Sequence, residues 1–370
     1  MAQPLKVLYM LHDSRRSGVP AVIASLILSL DRSRVTPAAL FAYDGVYARE
    51  LRAAGVEVRS LGPRLPFIWR ANRFLFNIYL WKMAPQADLI HVNSYVLAFS
   101  ALCAKKLGAK VLLHLHEKPG RFGRLLVKAV GSADCVVFCA KNCADHYAEV
   151  PALRRQTIPN AVTVPETAKG DAKTSRPRIV MFGSINKNKG QLLLLQAFAH
   201  LNPDAELYFY GTVGLSARGY AKGLKEFVRA HDLSDRVFFP GPTEDAASVM
   251  RQAAILVHSS LNECMSISIL EAMSHGLPVI ANAIVGMDEI IVDGVNGFLV
   301  QPGDIEALSA RIGQLLADTA LRTAIGQAGI AWVGDNFNMA ERAGRFADLY
   351  QELVASAVTE CHAPASAASR

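Results

Sequence analysis

Short runs rich in β-branched and aromatic residues alternate with longer amphipathic segments along this 370-residue chain, and they fall into two sets. The first set is KVLYML, AALFAY, VEVRSL, DLIHV, KVLLHL and DCVVFC; the second is RIVMFG, AELYFYG, RVFFPG, AILVHS, PVIAN and GFLV. A strand followed by a helix-length crossover returns to make a parallel neighbour, so each set predicts a parallel sheet with helices on both faces. Between the sets, PETAKGDAKTSRP (165–177) is polar and reads as an interdomain linker. The expected fold class is therefore α/β, with two Rossmann-like domains at 1–164 and 178–337. A terminal helix at 338–356 is expected to pack back on the first domain, and residues 357–370 read as a flexible tail.

The length is sufficient for two separate cores. The start, MAQPLKVLYMLH, enters a strand-like run without the charged stretch, long apolar core and small-residue cleavage site of a signal peptide. PAVIASLILSL (20–30) is too short to span a bilayer. Six cysteines over this length fit reduced thiols in a cytoplasmic protein rather than a disulfide framework. Cys135, Cys139 and Cys143 lack a paired CxxC or a histidine partner, so they read as buried or half-buried thiols and no metal site is expected there. The net charge of +7 divides into +12 over residues 1–165 and −5 over 166–370. The basic half suits an anionic partner, either a membrane surface or an acidic acceptor, and equally suits plain solubility. No nucleic-acid partner is expected.

Glu263 and Glu271 lie in NECMSISILEAMSHGLPVIAN (262–282). Ser268 can cap a short helix, Gly276 can end it and Pro278 blocks its continuation, which puts Glu271 near a helix start and Glu263 in the loop before it. A helix start offers unpaired N–H groups and the positive end of a dipole to a phosphate, while a carboxylate accepts hydrogen bonds from vicinal sugar hydroxyls. Upstream, FGSINKNKGQLLLLQAF (182–198) ends a strand at Gly183 and opens an apolar helix after Lys189 and Gly190. Glycine lets backbone approach a ligand closely, and a lysine at a helix start adds a full charge to the dipole. This is not a Walker loop, whose Gly-x-x-x-x-Gly-Lys-Ser/Thr spacing is absent. No GxGxxG follows the first strand, which disfavours a nicotinamide oxidoreductase.

The order of these features resembles the family 4 glycosyltransferases, with two facing Rossmann-like domains in the GT-B fold. The resemblance covers nearly the whole chain and is strongest over 178–304, through the Lys189-Gly190 loop, Glu263, LEAMSHGLPVIA, Gly286 with Glu289, and VDGVNGFLVQPGD. It implies a cytoplasmic enzyme that moves a sugar from a nucleotide-diphosphate sugar, UDP- or GDP-linked, to a hydroxyl acceptor on the first-domain side, with retention of configuration and no cofactor. On that resemblance Lys189 binds the donor diphosphate, with Gly183 and Ser184 in the same loop. Backbone N–H groups near Met265, Ser266 and Ile267 hold the distal phosphate, Glu271 takes the ribose hydroxyls and Glu263 those of the transferred sugar. In the first domain, Gly18 matches the glycine beside the diphosphate and His116 the histidine facing the donor sugar.

The chain departs from the family pattern at three places. Ser184 stands where an arginine is usual, leaving either Lys187, Arg15 or Arg16 to substitute for its charge or a lower donor affinity. Cys264-Met265-Ser266 replaces a glycine-containing turn, and Ala161 and Thr163 replace a commoner glycine and aspartate. No Asp-x-Asp triplet occurs, so a metal-independent reaction is expected, with Lys189 and helix N–H groups stabilising the leaving diphosphate. RLPFIWRANRFLFNIYLWK (64–82) interleaves Arg64, Arg70, Arg73 and Lys82 with Phe67, Trp69, Phe74, Phe76 and Trp81. It reads either as a helix with one core-facing aromatic stripe or as an interfacial helix that, with Lys118, Arg121, Arg124 and Lys128, brings the enzyme to the inner face of the plasma membrane and a lipid-linked glycan acceptor. The rival functions are a sugar-nucleotide epimerase and a non-catalytic sugar-nucleotide or glycan binding protein.

Overall fold

The computed structural model describes residues 3–61, 69–119, 123–165, 176–201 and 204–361, without the side chains of 69–75 and 356–361. The linker residues 166–175 lie outside it. The chain divides into two compact units, Met1–Asn160 with Met339–Arg370, and Ala161–Asn338.

The first unit holds strands β1 (Leu5–Leu11), β2 (Val35–Phe41), β3 (Glu57–Ser60), β4 (Leu89–Asn93), β5 (Val111–Leu115), β6 (Cys135–Phe138) and β7 (Arg155–Thr157) in the order β3-β2-β1-β4-β5-β6-β7. Every neighbouring pair is parallel. All residues of β4, β5 and β6 are buried, the mark of strands covered on both faces by crossover helices. The edge strand β7 was not among the expected strands. Its three residues, RQT, are too few and too polar to show a strand pattern. Cys135, Cys139 and Cys143 are buried thiols.

The C-terminal helix Met339–Cys361 packs against the helix Gly18–Ser29 of the same unit. Ion pairs from Arg34 to Asp348, at 2.7 Å, and from Arg154 to Glu352 tie it to the strand ends. In the helix Trp69–Met83, Phe76 and Leu80, four apart, are buried, whereas Trp81 is 63% exposed. Arg64, Phe67 and Arg121, and the side chains of Trp69, Arg70, Arg73 and Phe74, lie outside the described residues. Among the described residues no helix is long and apolar enough to cross a membrane.

The second unit holds β8 (Arg178–Phe182), β9 (Glu206–Tyr210), β10 (Val237–Gly241), β11 (Ile255–His258), β12 (Val279–Asn282) and β13 (Phe298–Val300) in the order β10-β9-β8-β11-β12-β13, again all parallel. Its core packs Ile179, Met181, Leu207, Phe209, Ile255 and Val257 of the sheet against Leu194, Phe198 and Ile312 of the covering helices. Strand order reverses between β8 and β11. At such a reversal the two following connections run in opposite directions and leave a crevice at the carboxyl ends of the strands, where open α/β sheets take ligands.

Candidate functional site

The loops that leave β8 and β11 at this reversal carry Lys189 and Glu263. After β8 the chain runs from Gly183 to Gly190. Ile185 N–H donates to Thr212 O at 2.9 Å, extending the β8–β9 pairing past the strand ends. Gly211 makes that approach feasible, because a Cβ there would stand 1.9 Å from Gly183 O. Asn186 then caps a 3-10 turn at Lys187–Lys189. Its side-chain oxygen accepts from Lys189 N–H, and its amide donates to Ser184 Oγ at 2.8 Å.

Gly190 ends this turn with φ +71° and precedes the helix Gln191–Ala199. A side chain there would meet Ser259 O at 2.1 Å, so both the backbone conformation and the space require glycine. Ser259, the first residue after β11, donates its hydroxyl to Gly190 O at 2.9 Å. Leu261 N–H donates to Asn188 O at 2.8 Å and the Asn188 amide to Asn262 O at 3.1 Å. From the other side the Asn282 amide at the end of β12 donates to Ser259 O at 2.8 Å and Ser260 O at 3.2 Å. The two loops are thus stitched together, by one backbone bond and two from side chains to backbone, just where their charged side chains emerge.

Lys189 Nζ and Glu263 Oε1 form a hydrogen-bonded ion pair, and His258 Nε2 lies 3.5 Å from the same carboxylate oxygen. Both charged side chains are about four-fifths withdrawn from water, with 21% and 18% exposure. Burial alone would raise the Glu263 carboxyl, but the His258 imidazole and the Lys189 ammonium outweigh it and hold the group at about 2. At neutral pH the site therefore presents a carboxylate that accepts hydrogen bonds, beside a cation able to meet a phosphate oxygen.

The helix that follows spans Ile267–Ser274, with Ser266 in the N-cap position. This corrects the expected cap. Ser268 lies inside the helix, and Glu271 stands in its second turn rather than near its start. Gly276, at φ +69°, ends the helix as expected. Ser266 makes no side-chain cap bond but pairs its hydroxyl with that of Ser268 at 3.1 Å, so the first N–H groups have no side-chain cap from it. Met265 and Ser266 are buried and Ile267 half-buried, all in the segment that joins Glu263 to this helix.

In the first unit, Gly18 is the exposed first residue of the helix Gly18–Ser29. Of the residues considered as stand-ins for the arginine missing at Ser184, Arg15 donates Nε to Asp13 Oδ2 at 2.8 Å and Arg16 is ion-paired with Glu50 at 3.1 Å. Lys187 is exposed in the β8 loop itself, two residues from Lys189. His116, one residue past β5, is only 7% exposed. Burial pushes its imidazole down to about 3, partly offset by the Asn160 amide and reinforced by His12.

Residues 165–332 match the family model for glycosyl transferases group 1, and residues 16–164 match that for glycosyltransferase family 4. The chain belongs to the family 4 glycosyltransferases. It is 32% identical over 197 residues to the lipopolysaccharide core biosynthesis mannosyltransferase LpcC of Rhizobium leguminosarum bv. viciae, covering 51% of this chain and 56% of that protein. It is 26% identical over 284 residues to the GDP-mannose-dependent alpha-(1-6)-phosphatidylinositol monomannoside mannosyltransferase of Mycolicibacterium smegmatis, covering 68% of this chain and 73% of that one. The chain thus spans little more than half the length of LpcC. Anabaena Alr3699/HepE, solved in complex with UDP-glucose, superimposes with a TM-score of 0.82 at 21% identity over 94% of this chain and 100% of that one, which shows the shared GT-B fold.

Lys189 and Glu263 stand in motifs legible in the sequence, whereas His258, Asn188 and Asn282, which the structure places beside them, were not among the expected residues. A usable signal existed for His258. It closes the apolar run AILVH as a polar residue at a buried strand end, five positions before Glu263.

Proposed function

We propose that this protein transfers a sugar from a nucleotide-diphosphate sugar, UDP- or GDP-linked, to a hydroxyl acceptor in cell-envelope polysaccharide or glycolipid synthesis, with retention and without a metal ion. The observation that carries the reading is the Lys189–Glu263 pair at the strand reversal of the second unit. A nucleotide-diphosphate sugar carries both complements, an anion for Lys189 and vicinal hydroxyls for Glu263. The nucleotide sugars named for HepE and the mycobacterial relative, and the envelope product named for LpcC, support the same chemistry.

In this reaction the bond from the anomeric carbon to the phosphate oxygen breaks and a bond to the acceptor oxygen forms on the same face. The acceptor proton passes to the leaving phosphate oxygen. Lys189, with the N–H groups around Ser266 and Ile267, neutralises the charge that develops on the diphosphate, and such preorganised donors cost no reorganisation during the reaction. Glu271 takes the ribose hydroxyls, Glu263 those of the transferred sugar, and His116 bonds the donor sugar as a neutral imidazole. Gly18, Gly183 and Ser184 allow backbone to approach the diphosphate. The absence of any Asp-x-Asp triplet supports metal independence.

We place the enzyme in the cytoplasm, at the inner face of the membrane. The +12 charge of residues 1–165 and the exposed Trp81 support this, and the acceptor is then a lipid-linked glycan. Failure to float with anionic liposomes would remove the membrane part.

The deciding experiment is a panel of UDP-, GDP-, ADP- and dTDP-sugars with purified protein, following nucleotide release with Glu271→Ala as control. Release from one donor, lost in the variant, supports the reading and names the sugar. Conversion of the donor to its epimer without release, or the absence of binding by every donor, overturns it.

A further inference from the structure

On one face of the first sheet, tyrosine and histidine side chains form a buried hydrogen-bonded line that ends beside His116. Tyr9 in β1 is in register with His91 in β4, and Asn93, two residues on, is in register with His114 in β5. With side chains alternating along each strand, Tyr9, His91, His114 and His116 share that face. The C-terminal helix lays Phe346 and Tyr350 over it, with the Phe346 ring centroid 5.5 Å from that of His91 and 5.4 Å from that of His114.

Tyr9 and Tyr350 hydroxyls are 2.9 Å apart, Tyr350 Oη is 2.7 Å from His91 Nδ1, and His91 Nε2 is 3.2 Å from His114 Nδ1. The His114 ring then packs on His116, with centroids 3.9 Å apart and planes tilted by 39°. Tyr9, His91 and Tyr350 are 0% exposed and His114 1%. Burial holds the histidines in their neutral form and the tyrosines protonated.

Each contact in such a line carries one hydrogen, so neutral members admit two orders that run one way throughout; a mixed one, with Tyr9 and His91 both donating to Tyr350, strands the Tyr350 hydrogen and bares His114 Nε2. In the first, Tyr9 donates to Tyr350, Tyr350 to His91 Nδ1, and His91 Nε2–H to His114 Nδ1, which leaves the hydrogen of His114 on Nε2. In the second, every hydrogen is reversed and His114 Nε2 is bare. His114 Nε2 has no hydrogen-bond partner among the described residues. The first order therefore leaves one buried donor without an acceptor, at His114. The second leaves such a donor at Tyr9, and the bare His114 nitrogen besides. Unmade buried bonds are the costly feature, so the first order prevails.

We infer that Tyr350, His91 and His114 are a positioning relay for His116, fixing the Nε2–H tautomer of His114 and stacking that ring against the His116 imidazole to hold it in one orientation. Its effect on turnover rests on the reading that His116 serves sugar transfer; its effect on tautomers does not.

The test uses the full chain with 15N-labelled histidine. Long-range 1H–15N spectra are expected to show His91 and His114 as the Nε2–H tautomer. Tyr350→Phe is expected to turn both into tautomer mixtures and to lower kcat about tenfold with little change in donor KM, since misorienting one group costs on that order. His114→Ala is expected to shift the His116 ring signals and lower kcat, and His114→Phe, which restores a flat ring, to recover most of the loss. Unchanged tautomers in Tyr350→Phe, or unchanged His116 signals in His114→Ala, would overturn the relay. Full turnover by His116→Ala would instead strike the role of His116 in the reaction, with the tautomer result still deciding the relay.

Discussion

Lys189 and Glu263, 74 residues apart on the loops after two neighbouring strands, are ion-pair partners in a site four-fifths closed to water. A nucleotide-diphosphate sugar carries the natural competitor for each partner, phosphate for the lysine and hydroxyls for the glutamate. On the proposed reading, donor binding replaces one charge-assisted contact by two, which keeps both groups compensated throughout.

Lys189→Ala removes the cation and leaves the Glu263 carboxylate facing the donor phosphates. Charge-assisted bonds contribute about 1.5–3 kcal/mol, so nucleoside diphosphate affinity is expected to fall roughly 10- to 100-fold. Isothermal titration with UDP and GDP measures this, and unchanged affinity would refute the phosphate role.

Glu263→Gln has the opposite signature. It releases Lys189 from its partner, so nucleoside diphosphate binds at least as tightly as to the wild type. Turnover is expected to drop on the order of 100-fold, because the carboxylate no longer aligns the sugar. Comparing diphosphate Kd with kcat in the same preparation separates the two effects. A parallel fall in both would place Glu263 with the phosphates instead.

The same pair makes stability depend on acid. The Glu263 carboxyl titrates at about 2 in the folded protein against an ordinary 4.5, a depressed value, so its contribution is complete above 4.5 and lost as pH falls toward 2. Denaturant unfolding of wild type and Glu263→Gln should therefore show a stability gap, on the order of 2 kcal/mol at neutral pH, that closes across that window. A gap independent of pH would mean that the pair contributes no net charge effect.

Gly190→Ala forces a side chain into the left-handed backbone region and to within 2.1 Å of Ser259 O. It is expected to cost about 2–4 kcal/mol and to weaken donor binding with it, since Lys189 is the preceding residue. Thermal unfolding of the variant, with and without UDP, checks both.

Much of the fold is legible in the sequence because its central strands are buried on both faces and read as unbroken apolar runs between turn signals. The strand β7 is hidden because an edge strand of three polar residues has no such run. Lys189 and Glu263 show through spacing within local motifs. The choice between Ser266 and Ser268 as the cap does not, because both are serines and only the extended backbone at Ser266, φ −87° and ψ 112°, puts that residue outside the helix. The line from Tyr9 to His116 is invisible for another reason. Its members are brought together by strand register and by a helix some 341 positions away, which no window of sequence contains.

The stitching of the two site loops has a bearing on how such enzymes diversify. Ser259 donates to Gly190 O, Leu261 N–H to Asn188 O, and the Asn188 amide to Asn262 O, so the segment that carries Glu263 is bolted to the one that carries Lys189. Neither can be exchanged alone. On the proposed reading, a change of donor sugar in this scaffold comes by grafting both loops as one cassette, or from residues outside them.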